Sequence, residues 1–102
     1  MLPTFSSRAF LAPMAGVSDP ALRLQCKKMG AGLVVTEFTN IHSIIAKEKQ
    51  LKDHMKTIQE FIEFSDQERP LSIQLFGSDL LALEKAAKIV EPYFDIIDYN
   101  MG

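Results

Sequence analysis

Cysteine is almost absent from this chain. One residue, Cys26, stands among 102, so no intramolecular disulfide and no multi-thiolate metal centre can be built from it. Such usage fits a reducing, cytoplasmic compartment. Net charge is also slight. Eleven Lys and Arg against thirteen Asp and Glu leave −2, which gives this segment no basic surface for phosphate binding. No apolar run approaches a membrane span. Arg8 followed by Ala9-Phe10-Leu11-Ala12 has the outline of a short signal peptide, but Pro13 interrupts it and its flank is scarcely basic. The segment reads as mature protein.

The two histidines, His42 and His54, are separated by a polar helical stretch with no partnering cysteine, so no metal site is expected. No Ser-His-Asp order is worth defending, and no repeat or low-complexity linker is present. What remains is 47% hydrophobic and 24% charged, an ordinary soluble composition at a length suited to one modest domain.

Periodicity supplies an order of elements. Phe10 to Ala15 reads as a short buried strand running into a turn at Gly16. Ser18-Asp19-Pro20 starts a helix, with Leu22, Cys26 and Met29 on its apolar face and Gly30 or Gly32 at its end. Leu33 to Thr36 is a β-branched strand bounded by Glu37. From Ile41 to about His54 the apolar residues fit one helical face, and the lysines between Lys47 and Lys56 read as a solvated one. Ile58 to Phe64 reads as an extended segment feeding a turn at Asp66-Gln67-Glu68.

Leu71 to Phe76 is a clearer strand, closed by Gly77. Ser78-Asp79 then caps a helix carrying Leu80, Leu83, Ala87 and Val90, which ends at Pro92. Phe94 to Tyr99 is the fourth strand. Strands alternating with helices predict an α/β fold with a parallel sheet.

In such a sheet the functional positions lie at the carboxyl ends of the strands. Here these are Pro13 to Gly16, Glu37 to Asn40, Gln74 to Gly77 and Asp98 to Gly102. Amides there both donate and accept, which suits a flat heterocycle with a carbonyl beside a ring N–H, and glycines let backbone approach it. A structural reading of each residue stays open beside this one. Met14 could fill a core, Gln74 could satisfy a backbone group, Asn100 could end a turn and Glu37 could cap or pair locally. Cys26 reads as an inert core thiol.

Four motifs are similar to those of flavin-dependent tRNA-dihydrouridine synthases, in the same order and at plausible spacing. They are Leu11-Ala12-Pro13-Met14-Ala15-Gly16-Val17-Ser18-Asp19, Val35-Thr36-Glu37, Gln74-Leu75-Phe76-Gly77-Ser78 and Asp98-Tyr99-Asn100-Met101-Gly102. The resemblance covers essentially the whole chain and about the first third of a family member. It implies a (β/α)8 TIM barrel, of which residues 1–102 form a single partial domain. That domain would be the N-terminal half-barrel, with four parallel strands and covering helices.

The resemblance further implies FMN at the carboxyl face, NADPH as reductant and tRNA as substrate. Pro13, Met14 and Ala15 would contact the isoalloxazine, Gln74 would hydrogen-bond its polar edge, and Asn100 would lie by both flavin and uracil. The family's proton-donating cysteine directly follows the Asn-Met-Gly triplet, whereas this sequence ends on Gly102. The family's later lysine, histidine, phosphate-binding and C-terminal helical segments are not in it either. The expectation is therefore cofactor contact without a catalytic residue, and self-association through unpaired strand edges. Two alternatives are a non-catalytic folding or interaction module, and another FMN-barrel oxidoreductase of the dihydroorotate or dihydropyrimidine dehydrogenase type.

Overall fold

The computed structural model of the chain describes residues 10–11 and 19–100. In chain order the elements are β1 (Phe10–Leu11), α1 (Pro20–Lys28), β2 (Leu33–Asn40), α2 (Ile41–Leu51), α3 (His54–Gln59), a 3-10 turn (Asp66–Glu68), β3 (Leu71–Phe76), α4 (Leu80–Val90), a second 3-10 turn (Glu91–Tyr93) and β4 (Ile96–Asn100). The strands lie in sequence order β1-β2-β3-β4, and every neighbouring pair is parallel. A parallel pair cannot be joined by a hairpin, so each step crosses over through a helix. The alternation in the sequence thus becomes an α/β sheet.

Side chains alternate across β3, and the alternation defines two unlike faces. Leu71, Ile73 and Leu75 are fully buried against Ile41 and Ile44 of α2, Ile58 of α3, and Ala82, Ala86, Ile89 and Val90 of α4. Ile97 and Tyr99 of β4 join this helix-covered core. The opposite face carries Ser72, Gln74 and Phe76, in register with Ile96, Asp98 and Asn100.

Caps set the helix starts. Asp19 accepts from the Leu22 N–H at 2.8 Å ahead of Pro20, Asn40 accepts from His42 at 2.8 Å, and Asp79 accepts from Leu81 at 3.0 Å. Gly30, at φ 104°, turns the chain out of α1 in a conformation that glycine adopts without penalty.

Several expectations are corrected. The segment Ile58 to Phe64 is not one extended piece: its first two residues end α3, which Asp53 caps, 60–61 turn with Ile62 N–H donating to Ile58 O at 2.9 Å, and 62–64 are irregular chain leading to the turn at Asp66–Glu68. Ile58 and Ile62 are buried four residues apart while Phe61 is exposed, a helical spacing. The helix expected from Ile41 to His54 breaks at Lys52, which sits at φ 52°. β2 does not stop at Thr36 but runs to Asn40. The buried stripe of α4 is Ala82, Ala86, Ile89 and Val90, whereas Leu80 is 70% exposed. Met29 faces solvent at the end of α1, and the buried residue of that helix is Arg23.

Arg23 forms a buried ion pair with Glu68, Nε to Oε1 at 2.5 Å, and also donates to Glu63 O. The other carboxylate oxygen of Glu68 accepts from Ser65 N–H at 2.8 Å. This pair pins α1 to the turn that leads into β3. Arg69 donates to Asp66, Asp95 and the Tyr93 carbonyl, tying that turn to the start of β4. The hydrogen bond to Asp66, with Asp95 adding to it, holds the Arg69 guanidinium above its ordinary pKa.

Candidate functional site at the strand ends

Register gathers the site. Phe38 of β2, Gln74 of β3 and Asp98 of β4 are successive Cα partners across the sheet, and Asn40, Phe76 and Asn100 form the next row toward the carboxyl ends. These rows share the face that the helices leave uncovered. Phe38 and Phe76 meet edge to face at 6.2 Å, and Phe38 remains 44% exposed. An aromatic wall thus stands beside a row of polar side chains.

A bulge in β2 sets the position of Phe38. Val35 pairs with Ser72 but Phe38 pairs with Gln74, so β2 carries one extra residue between them. The gap left in the ladder is filled by Thr36. Its buried hydroxyl accepts from the Gln74 N–H at 3.2 Å and donates to the Glu37 carbonyl at 3.0 Å. The bulge therefore satisfies the backbone behind Gln74 and leaves its side chain to the uncovered face.

That side chain is 7% exposed. Its Nε2 donates to Asp98 Oδ2 at 2.7 Å, and its Oε1 is buried with no hydrogen-bond partner. The amide nitrogen is taken by a neighbouring carboxylate and not by the backbone group contemplated from sequence. The reversed amide would set two oxygens against each other at that distance, so the carboxylate fixes which end is free. A buried acceptor without a donor is unfavourable by about 1–3 kcal/mol and calls for a partner that donates. The Ser72 hydroxyl, two residues earlier on the same face, is likewise buried and unpartnered.

At the carboxyl end of β3, Gly77 N–H donates to the Asn100 carbonyl at 3.4 Å, and the Tyr99 hydroxyl donates to the Gly77 carbonyl. Gly77 sits at φ 154°, and a Cβ there would stand 2.6 Å from Ile41 Cδ1. The close approach of β3 to the start of α2 depends on that missing side chain.

Of the residues named from sequence, Gln74 and Asn100 come together on one face, one register row apart. Pro13, Met14 and Ala15 lie outside the described residues, as do Met101 and Gly102. Asn40 caps α2 through its Oδ1. His42 is exposed, and His54 pairs with Glu48 at 3.3 Å. Cys26 is half-buried against the core. Among the described residues no three His, Cys, Asp or Glu side chains gather as metal ligands. Phe38, Phe76 and Asp98 fall within the strand-end ranges named from sequence but received no individual role there, and Thr36 and Ser72 lay outside those ranges. Their signal is the period of two counted from Gln74, readable only once the strands are in register.

Two clefts lie elsewhere. One of about 490 Å³ is lined by Met55, Gln59, Ile62, Glu63, Phe64, Ser65 and Asp66, and one of about 290 Å³ lies between Pro20, Leu24 and Glu68. Both adjoin the turn that precedes β3, at the amino end of the strands, and neither is lined by Gln74, Asp98 or Asn100. The chemistry-bearing groups are at the other end.

A parallel α/β sheet with aromatic and amide groups gathered at its carboxyl edge belongs to the class of α/β folds in which ligand sites lie at the carboxyl ends of the strands. Comparison with known proteins narrows this class. The chain belongs to the dihydrouridine synthase family, whose sequence model matches residues 10–102. It is 38% identical over 100 residues to tRNA-dihydrouridine synthase B of Pseudomonas putida, covering 97% of this chain and 28% of that protein. The protein of the same name from Xanthomonas campestris is 34% identical over 100 residues, with the same coverage. That from Escherichia coli K12 is 35% identical over 97 residues, covering 94% of this chain and 28% of its own length. The chain thus spans little more than a quarter of the relatives it matches.

Proposed function

We propose that this chain is the N-terminal half-barrel of a (β/α)8 tRNA-dihydrouridine synthase and supplies one wall of its FMN site. The observation that carries the reading is the buried, unpartnered Oε1 of Gln74 at the carboxyl edge of a family member's sheet. A flavin fits what is there. Its polar edge offers a ring N–H to that oxygen, and its ring system suits the Phe38–Phe76 wall.

When bound, FMN would supply the hydride for reducing the 5,6 double bond of uridine in tRNA, with the accompanying proton coming from a separate donor, and NADPH would reload the flavin. The residues of this chain bind and orient. Gln74 would hold the polar edge of the ring, Asn100 would lie beside flavin and uracil, and Pro13, Met14 and Ala15 would contact the isoalloxazine. We assign no proton transfer to any residue of the chain. The reading places the protein in the cytoplasm, in line with its single thiol; no helix among the described residues is long and apolar enough to cross a membrane.

The test uses protein expressed from its own gene, incubated with FMN, NADPH and tRNA that lacks dihydrouridine. Nucleoside mass spectrometry should find dihydrouridine that depends on both cofactors. Flavin binding with no tRNA product, but with turnover of free dihydroorotate or dihydropyrimidine, would instead favour the other FMN-barrel oxidoreductases. Neither flavin binding nor product would leave a folding or interaction module.

A further inference from the structure

We infer that Asp98 is a positioning residue that sets the hydrogen-bonding polarity of the flavin site through Gln74. The inference rests on the flavin reading above and goes beyond it by naming the group that decides which end of the amide meets the ligand. A glutamine amide is nearly symmetric in shape, and a buried one can present either oxygen or nitrogen to a ligand. Here the choice is made by one contact. Asp98 is the register partner of Gln74 on β4, and its carboxylate, an acceptor only, takes the amide nitrogen at 2.7 Å.

The amide is thereby locked with Oε1 inward, buried and without a donor. No second group competes for its backbone end, because Thr36 already takes the Gln74 N–H. A ligand at this edge must therefore bring an N–H, and a heterocycle offering only acceptors there is rejected. Asp98 itself is exposed, so its role needs no contact with the ring. An asparagine at position 98 could donate to Oε1 as readily as accept from Nε2, and the lock would be lost.

Protein expressed from its own gene is compared as wild type, Asp98→Asn, Gln74→Leu and the double variant, with Asp98→Ala as a second removal of the carboxylate. FMN affinity is read by quenching of flavin fluorescence, and the Gln74 side-chain amide by 15N NMR without flavin. Asp98→Asn should weaken FMN binding by about tenfold or more, the scale of a charge-assisted hydrogen bond reversed in polarity. In the Gln74→Leu background the same change should alter affinity by no more than about twofold, the scatter of independent sites. The Gln74 amide protons, split widely by the carboxylate in the wild type, should draw together in Asp98→Asn.

Equal weakening in both backgrounds, no weakening in either, or an unmoved amide signal overturns the role of Asp98 while leaving flavin binding intact. Absence of FMN binding by the wild type overturns the flavin reading, and the inference with it.

Discussion

Gln74 carries two opposite environments on one side chain. Its nitrogen meets a carboxylate and its oxygen meets nothing, although the residue lies in a strand of fully buried Leu and Ile. The polar residue in an apolar strand is visible in the sequence, and so is Asn100 at the end of β4. The partner of Gln74 is not, because Asp98 is 24 residues away and only the register of β3 on β4 brings them together. Gly77 is visible as the close of a strand, but its reason is tertiary: Ile41 occupies the space a Cβ would need. Gly77→Ala should therefore lower stability by about 1–3 kcal/mol, through an unfavourable φ and displacement of Ile41. Urea unfolding measures this, and an unchanged midpoint would show that the β3–α2 approach is slack.

Among the elements, β3 matches its sequence reading from Leu71 to Phe76 because Pro70 and Gly77 punctuate it. β2 was legible at its start and not at its end. Its bulge at Thr36-Glu37 contains no glycine or proline, and the hydroxyl that repairs the ladder is visible only in three dimensions. The stripe of α4 was right at Val90, and Leu83 packs against the core, but Leu80 set the helical template one step off at the start. The other buried positions are Ala82, Ala86 and Ile89, and the small alanines let α4 sit close to α2. The misreading of Ile58 to Phe64 arose because β-branched and aromatic residues favour strands in isolation, whereas the Asp53 cap and the Ile58–Ile62 spacing favour a helix.

Two predictions belong to the elements. Asp79→Ala removes the acceptor for the Leu81 and Ala82 N–H groups and should lower stability by about 1 kcal/mol, read as a shift in chemical denaturation. Arg23→Met strands the Glu68 carboxylate in the interior and should lower stability by about 3–5 kcal/mol. Adding Glu68→Leu to it should recover much of that loss, since a buried pair is replaced by apolar groups more easily than it is halved. A double variant no more stable than Arg23→Met would mean that the pair contributes more than its mutual neutralisation.

For the molecule as a whole, the sheet has two outer edges, at β1 and β4, without a strand partner among the described residues. The β1 edge is two residues long and the β4 edge five, so β4 is the longer template for a further strand. A closed barrel removes such edges, which fits the half-barrel reading. The 102-residue chain by itself should accordingly self-associate, with a sedimentation coefficient that rises with concentration; a folded monomer at every concentration would count against it.

The central claim is that the uncovered carboxyl edge of this sheet holds a flavin through Gln74. It is tested most directly by FMN affinity in the wild type and in Gln74→Leu, each with a thermal melt in the absence of flavin. The account predicts binding by the wild type, a loss of about tenfold or more in Gln74→Leu, and an apo melting temperature that does not fall, because an orphaned buried acceptor has been removed. Equal FMN affinity in the two proteins would contradict it.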